Sequence, residues 1–279
     1  MIPVSHPGSF RAVITVRNAI LAAVIAVLVA GLFWPFVATV KQSLSPPAYA
    51  EAFGTAGYRA VMWNTVQIAL IATAVTVFLG FVIAYFMWNS GPRMRAITIV
   101  LLVIPFFTSI LVKMFSWTVL LQDHGPINRI LMGLGLINQP VHLLFTRGAV
   151  IVGMVHYMLP IAVVPIYVSL MRINKALIKV ARSMGASKAT TLVQVTLPMC
   201  RAGVITSLVT VFVVALGFYI TPAMLGGRHD QMIANLIDVL VRKLARFDLA
   251  AAFSVLVFVG VLCILPFALQ MLRPPNESK

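Results

Sequence analysis

The apolar runs of this 279-residue chain hold two candidates for contact with an ion or polar solute, Lys113 and His156. A charged side chain in hydrocarbon is costly and by default marks a functional site; for Lys113 the alternative is snorkelling toward the nearby headgroups. Tyr157 follows His156, and the pair reads either as an interhelical hydrogen-bonding element or as the lining of a path. Tyr219 and Thr221, just before Pro222, fall where an apolar run gives way to a polar connection, a place suited to gate lining. None of these residues forms a catalytic constellation. The chain has no Gly-x-x-x-x-Gly-Lys-Ser/Thr loop to cradle phosphates and so no means of ATP hydrolysis of its own. It has no His-Glu-x-x-His and no paired-cysteine spacing for a metal. The six acids are scattered, none within an apolar run. No catalytic residue, bound cofactor or metal is expected. The lack of a mid-span acid also weighs against a carrier that binds a coupling ion at the membrane midplane.

A second group of residues lies in the polar stretch 172–201, which carries Arg172, Lys175, Lys179, Arg182, Lys188 and Arg201 and no acid. Leu177, Ile178, Ala181, Met184 and Gly185 form an apolar stripe at helical spacing, and Ser187 and Thr190 are helix-start signals. Two short helices hinged at Gly185-Ala186-Ser187 are expected, with glycine supplying positive φ or close approach at the corner. Pro198 suits the first turn of the following apolar helix. The basic residues alone would fit a loop retained on the positive side of a membrane. A central glycine and a Leu-Pro at a set distance do not follow from that rule, and point to a surface for a partner outside the bilayer.

The elements that must position these residues are set by composition. The chain is 61% hydrophobic and 10% charged, against about a quarter charged in soluble domains. Runs of roughly 20 apolar residues cross a hydrocarbon core, and there the backbone must be helical. Six spans are expected near 18–40, 65–87, 96–121, 148–171, 202–225 and 249–272, with Pro105, Pro160 and Pro165 as kinks. The fold class is all-α integral membrane: a single six-span domain over 18–272, short tails at 1–17 and 273–279, and the inner loop 172–201 between spans four and five. With both tails inside, the inner segments hold twelve basic residues and one acid, while the outer ones hold eight basic residues and five acids. Short basic loops stay in the cytoplasm, so both termini are expected there, and membrane orientation, not nucleic-acid binding, explains most of the +15 net charge. The first apolar run is too long for a signal core and is expected to remain as a span. Cys200 and Cys263 fall outside the oxidising side, so no disulfide is expected. On the outer side, Gly125-Pro126 opens a short helix. Met232 to Leu244 forms an amphipathic helix that either caps the bundle or presents a docking or gating surface.

The inner loop resembles that of binding-protein-dependent ABC importer permeases. Their pattern runs Glu-Ala-Ala, three residues, Gly, nine residues, Ile, one residue, Leu-Pro. Gly185, nine residues, Val195, Thr196, Leu197 and Pro198 match its second half, with Val for Ile. In the first half, Lys179-Val180-Ala181 keeps only the final alanine and puts lysine at the glutamate position. Leu101 to Met114, Gly125 to Leu131, Gly217 to Gly227 and Asn235-Leu236-Ile237 are similar to the polyamine-type inner-membrane permeases within that family.

The resemblance implies a permease subunit in the bacterial inner membrane. The inner loop would be the coupling helix that docks on a cytoplasmic ATPase, through Lys179, Ala181, Arg182, Gly185, Ala186, Ser187, Val195, Leu197 and Pro198. It implies three partners: ATPase subunits that bind ATP and Mg, a second homologous permease chain, and an external solute-binding protein. The path would be lined by Lys113, His156, Tyr157, Tyr219 and Thr221. The implied solute is a polyamine. Opines, amino acids and other small amines remain open, as do an ion-coupled carrier and a non-transporting assembly subunit.

Overall fold

A computed structural model describes residues 7–272; the proposed tail 273–279 and residues 1–6 lie outside that range. The chain is all-helical among the described residues. α1 (Pro7–Ser43) runs unbroken from the expected inner tail through the first span. A nine-residue α2 (Pro46–Gly54) then leads into α3 (Ala56–Asn89). α4 (Pro92–Phe107) and α5 (Ile110–Leu121) follow, with α6 (Pro126–Gly133) as the short outer helix. α7 (Arg147–Met171) is continuous through Pro160 and Pro165.

Among the described residues four helices are long and apolar enough to cross a membrane, or up to six spans if each of two sharply bent pairs counts as one. The first bent pair replaces the single expected run 96–121: α4 and the segment beginning with α5 meet at 100°. Pro105 has no N–H to donate to the carbonyl of Leu101, and α4 stops two residues later. The Thr108 amide caps the Pro105 carbonyl at 3.2 Å, and Ser109, with non-helical ψ 133°, is the N-cap of α5.

α3, α7 and α11 (Arg201–Leu216) form the centre of the bundle. Membrane helices gain little from burying apolar surface out of lipid, so close approach through small residues drives their association. Gly80 of α3 lies so near Ala162 of α7 that a Cβ there would sit 2.9 Å from the alanine Cβ. Ala69, Ala72 and Ala84 are fully enclosed on the same seam. Gly203 of α11 sits against the Pro165 carbonyl and Ser169 of α7, and Ser207 donates to the Ala162 carbonyl at 2.7 Å.

The run 202–225 is likewise not one helix. α11 ends at Leu216, and α12 (Ile220–Leu225) packs against α5 and α7. α13 (Ile233–Arg242) is the expected amphipathic outer helix: Ile233, Leu236 and Leu240 are buried among Ala48 and Ala52 of α2 and Leu249 and Phe253 of α14 (Phe247–Leu272). α13 thus caps the bundle. α14 also packs on α1, with Phe36 and Phe258 in edge contact at 4.9 Å.

Candidate functional site

The inner loop folds into the two short helices its residue types dictate. α8 (Lys175–Ser183) begins at Asn174, whose side chain accepts from the Ala176 amide at 2.9 Å. It ends in a Schellman motif: the Gly185 amide donates to the Arg182 carbonyl and the Ala186 amide to that of Ala181. Gly185 has φ +90°, a conformation L side chains rarely adopt. Ser187 then caps α9 (Lys188–Thr191), accepting from the Thr190 amide at 3.1 Å. A π-helical turn, Leu192–Thr196, follows and gives way to α10 (Leu197–Met199). Pro198 cannot donate to the carbonyl of Gln194, and widening the preceding turn relieves its ring. Pro198 was expected in the first turn of the next span; it lies instead before a 68° bend at Cys200, and that span starts at Arg201.

Ala181, Gly185, Ala186, Ser187 and Val195 border one open concavity of about 500 Å³ at the corner. Lys179, Arg182, Leu197 and Pro198 belong to the same α8–α10 segment; of the nine residues Ala181, Ala186 and Val195 are half-buried and the other six exposed. α8 leaves Leu177, Val180 and Met184 uncovered, the last 82% exposed. Its link to the bundle is Lys175, which donates to the Trp88 carbonyl at 3.1 Å and lies over the Trp88 ring, together with Ile178, which packs on the core.

Three of the residues expected to line a path meet where α5 crosses α7. The Lys113 ammonium sits 4.7 Å from the centroid of the Tyr157 ring. His156 Nδ1 accepts from Trp117 Nε1–H at 2.9 Å, which assigns the proton of the neutral ring to Nε2. Tyr157 in turn contacts Phe218 and Phe106, with ring centroids 5.3 and 6.0 Å away. The other two residues lie apart from this group. Thr221 is wholly enclosed, its hydroxyl donating to the Met114 sulfur at 3.1 Å. Tyr219 borders an outer cavity of about 350 Å³ with Asn235 and Asp238 of α13.

Polar clamps at the end of the bundle away from the corner were not singled out from sequence. Arg147, at the start of α7, donates to Asp230 at 3.2 Å, to Gln67 at 3.1 Å and to Asn64 at 2.9 Å, joining α3, α7 and the segment before α13. Arg246 donates to Glu51 and Asp248, joining α2 to α14, and these bonds, Glu51 first, hold its guanidinium above its ordinary pKa. Asn128 braces the outer loop with three bonds, to Gln122 and to both polar groups of the Val141 backbone. Asn235 holds the Tyr219 carbonyl at 3.0 Å.

A helical membrane domain that offers an exposed two-helix corner on one side and a polar-clamped surface on the other has the make-up of a transport subunit worked by partners. The chain belongs to the family of binding-protein-dependent transport system inner membrane components, which matches residues 76–273. It is an ABC importer permease of the bacterial inner membrane, a transport component and not an enzyme. It is 32% identical over 198 residues to the spermidine/putrescine transport system permease protein PotB of Escherichia coli K12, covering 71% of this chain and 72% of that one. PotB of Haemophilus influenzae is 29% identical over 74% of this chain and 69% of its own. Among solved structures, a bacterial ABC transporter that imports the acidic polysaccharide alginate superposes with a TM-score of 0.75 at 20% identity, over 94% of this chain and 96% of that one. At that identity the likeness speaks for the fold alone.

Proposed function

We propose that this permease conducts a polyamine, spermidine or putrescine in kind, through a path shared with a second homologous permease chain. An external binding protein delivers the solute, and ATP and Mg bound to cytoplasmic ATPase subunits supply the energy. The observation that carries the coupling part is the corner at Gly185: two capped helices, a positive-φ glycine, an uncovered apolar stripe and basic residues without an acid. Lys179, Ala181, Arg182, Gly185, Ala186, Ser187, Val195, Leu197 and Pro198 would seat on the ATPase there. Its closure would move the corner and, through Lys175 and the bend at Cys200, the central helices. Coupling requires that the ATP-bound state favour the outward-open arrangement. The identity to two spermidine/putrescine permeases supports the solute class, and the basic inner segments support cytoplasmic termini.

The test is uptake of labelled putrescine and spermidine in a deletion strain and its complemented parent. Loss on deletion with rescue by the gene is expected, and uptake should survive an uncoupler that leaves ATP intact. Unchanged uptake on deletion removes polyamines as the solute. Collapse under the uncoupler would show that ATP is not what drives the uptake.

A further inference from the structure

An importer of a cationic solute must lower the cost of bringing an ammonium group into the membrane, and among the described residues this chain has no carboxylate free to do so. Its five described acids lie outside or at the outer ends of the apolar segments, and each is paired: Asp123 with His142, Asp230 with Arg147, Asp238 with Arg242, and Glu51 and Asp248 with Arg246. At the α5–α7 crossing, by contrast, an alkylammonium is already seated. Lys113 is buried, 7% exposed, its ammonium 4.7 Å from the Tyr157 centroid. Among the described residues that ammonium has no carboxylate or carbonyl partner. What faces it is a ring, and that ring belongs to an aromatic group formed by Tyr157, Phe106 and Phe218. Aromatic faces attract cations, more strongly once the pair is desolvated. Trp117 donates to His156 Nδ1, and this bond suits a neutral imidazole, since both nitrogens of a protonated ring are donors. His156 therefore adds no second positive charge beside the ring.

We infer that the Tyr157 face, with Phe106 and Phe218 in contact with the ring, is a binding site for the primary ammonium of the transported solute, held between transport events by the Lys113 ammonium as a tethered stand-in. A lysine side chain ends in the same group as putrescine, a primary ammonium on a flexible aliphatic stem. It can keep the aromatic face occupied when no solute is present and give way when one arrives. Tyr157 is only half-buried. The inference deepens the polyamine reading and rests on it for the class of solute. It also accounts for a lysine in the path of a cation: the two compete for one face and are never bound there together.

The decisive measurement is equilibrium binding of labelled putrescine to the full importer complex in lipid nanodiscs, without the external binding protein. Lys113→Met should retain about tenfold more putrescine than the wild type, the scale of one cation–π contact in a desolvated site, whereas Lys113→Arg should stay at the wild-type level. Adding Tyr157→Leu to Lys113→Met should abolish the gain, and adding Tyr157→Phe should keep it. Lys113→Gln provides the same comparison should the methionine variant fail to assemble. A merely structural lysine would give no gain on removal. No gain in either neutral variant, or a gain that survives Tyr157→Leu, overturns the inference. The two readings fail separately: a gain in binding without putrescine uptake by cells sinks the solute assignment, and uptake without a gain sinks the site.

Discussion

Gly185 is the single residue on which the inner corner turns. Its φ of +90° closes the Schellman motif of α8 and aims Ser187 to start α9. A Cβ there would meet no atom within 4 Å, so a substitution acts through backbone strain and surface chemistry, not through a clash inside the chain. Gly185→Asp combines roughly 1–2 kcal/mol of left-handed strain with a negative charge in a loop that has none. The expected outcome is normal amounts of protein in the membrane and uptake reduced at least about tenfold, the rate equivalent of about 1.4 kcal/mol; immunoblotting beside labelled uptake checks it. Wild-type uptake by this variant would remove the corner from the coupling path. Lys175 offers a milder probe, since Lys175→Met loses the bond to the Trp88 carbonyl and leaves Ile178 to hold α8. A few-fold loss of uptake is expected, consistent with about 1 kcal/mol for one such bond.

Among the elements, the central helices depend on small residues and tolerate little added volume. At Gly203 a Cβ would stand 2.6 Å from the Pro165 carbonyl oxygen and 2.5 Å from the Ser169 Cβ, and the backbone oxygen cannot step aside without moving α7. Gly203→Ala is expected to destabilise the bundle by about 1–3 kcal/mol through overpacking, read as a lowered melting temperature of the purified complex. At Gly31 an added methyl group would meet nothing within 4 Å, so Gly31→Ala serves as the matched control and should melt no lower than the wild type. Much of this scaffold was legible in the chain. Apolar run length located the long helices α1, α3, α7 and α14, and Ser187, Gly185 and the spacing to Leu197-Pro198 located the corner. The bends were only partly legible: Pro105 marks a kink, but hydropathy averaged over a window carries no direction and hides that α4 ends there, and Pro198 shifts the turn before it instead of opening α11. The Arg147 clamp was invisible for another reason. Its partners Asn64, Gln67 and Asp230 lie about 80 residues away in both directions, and nothing local in the sequence pairs them.

At the scale of the whole molecule, charge separates two ends with different mechanical roles. The ion pairs found among the described residues all involve Arg147, Arg242, Arg246 or His142 with outer acids, so that end is cross-braced. The basic residues from Arg172 to Arg201 have no acid of their own chain nearby in sequence, which leaves their charge to orient the loop and to meet a partner. If the basic end faces the cytoplasm, as loop charge demands, a thiol at position 184 and one at position 243 must be reachable from opposite sides. Met184 and Lys243 are both exposed in the fold, so accessibility at either site depends on the membrane and the bound partners and not on burial in this chain. The background needs Cys263→Ala, because that cysteine is exposed, whereas Cys200 is buried. In intact cells stripped of the outer membrane, a membrane-impermeant maleimide should label Lys243→Cys and spare Met184→Cys. In inverted vesicles depleted of ATPase subunits the pattern should reverse, and adding the ATPase back should protect position 184 if the corner is its seat. Labelling of position 184 from outside would invert the topology and with it the assignment of the corner to a cytoplasmic partner.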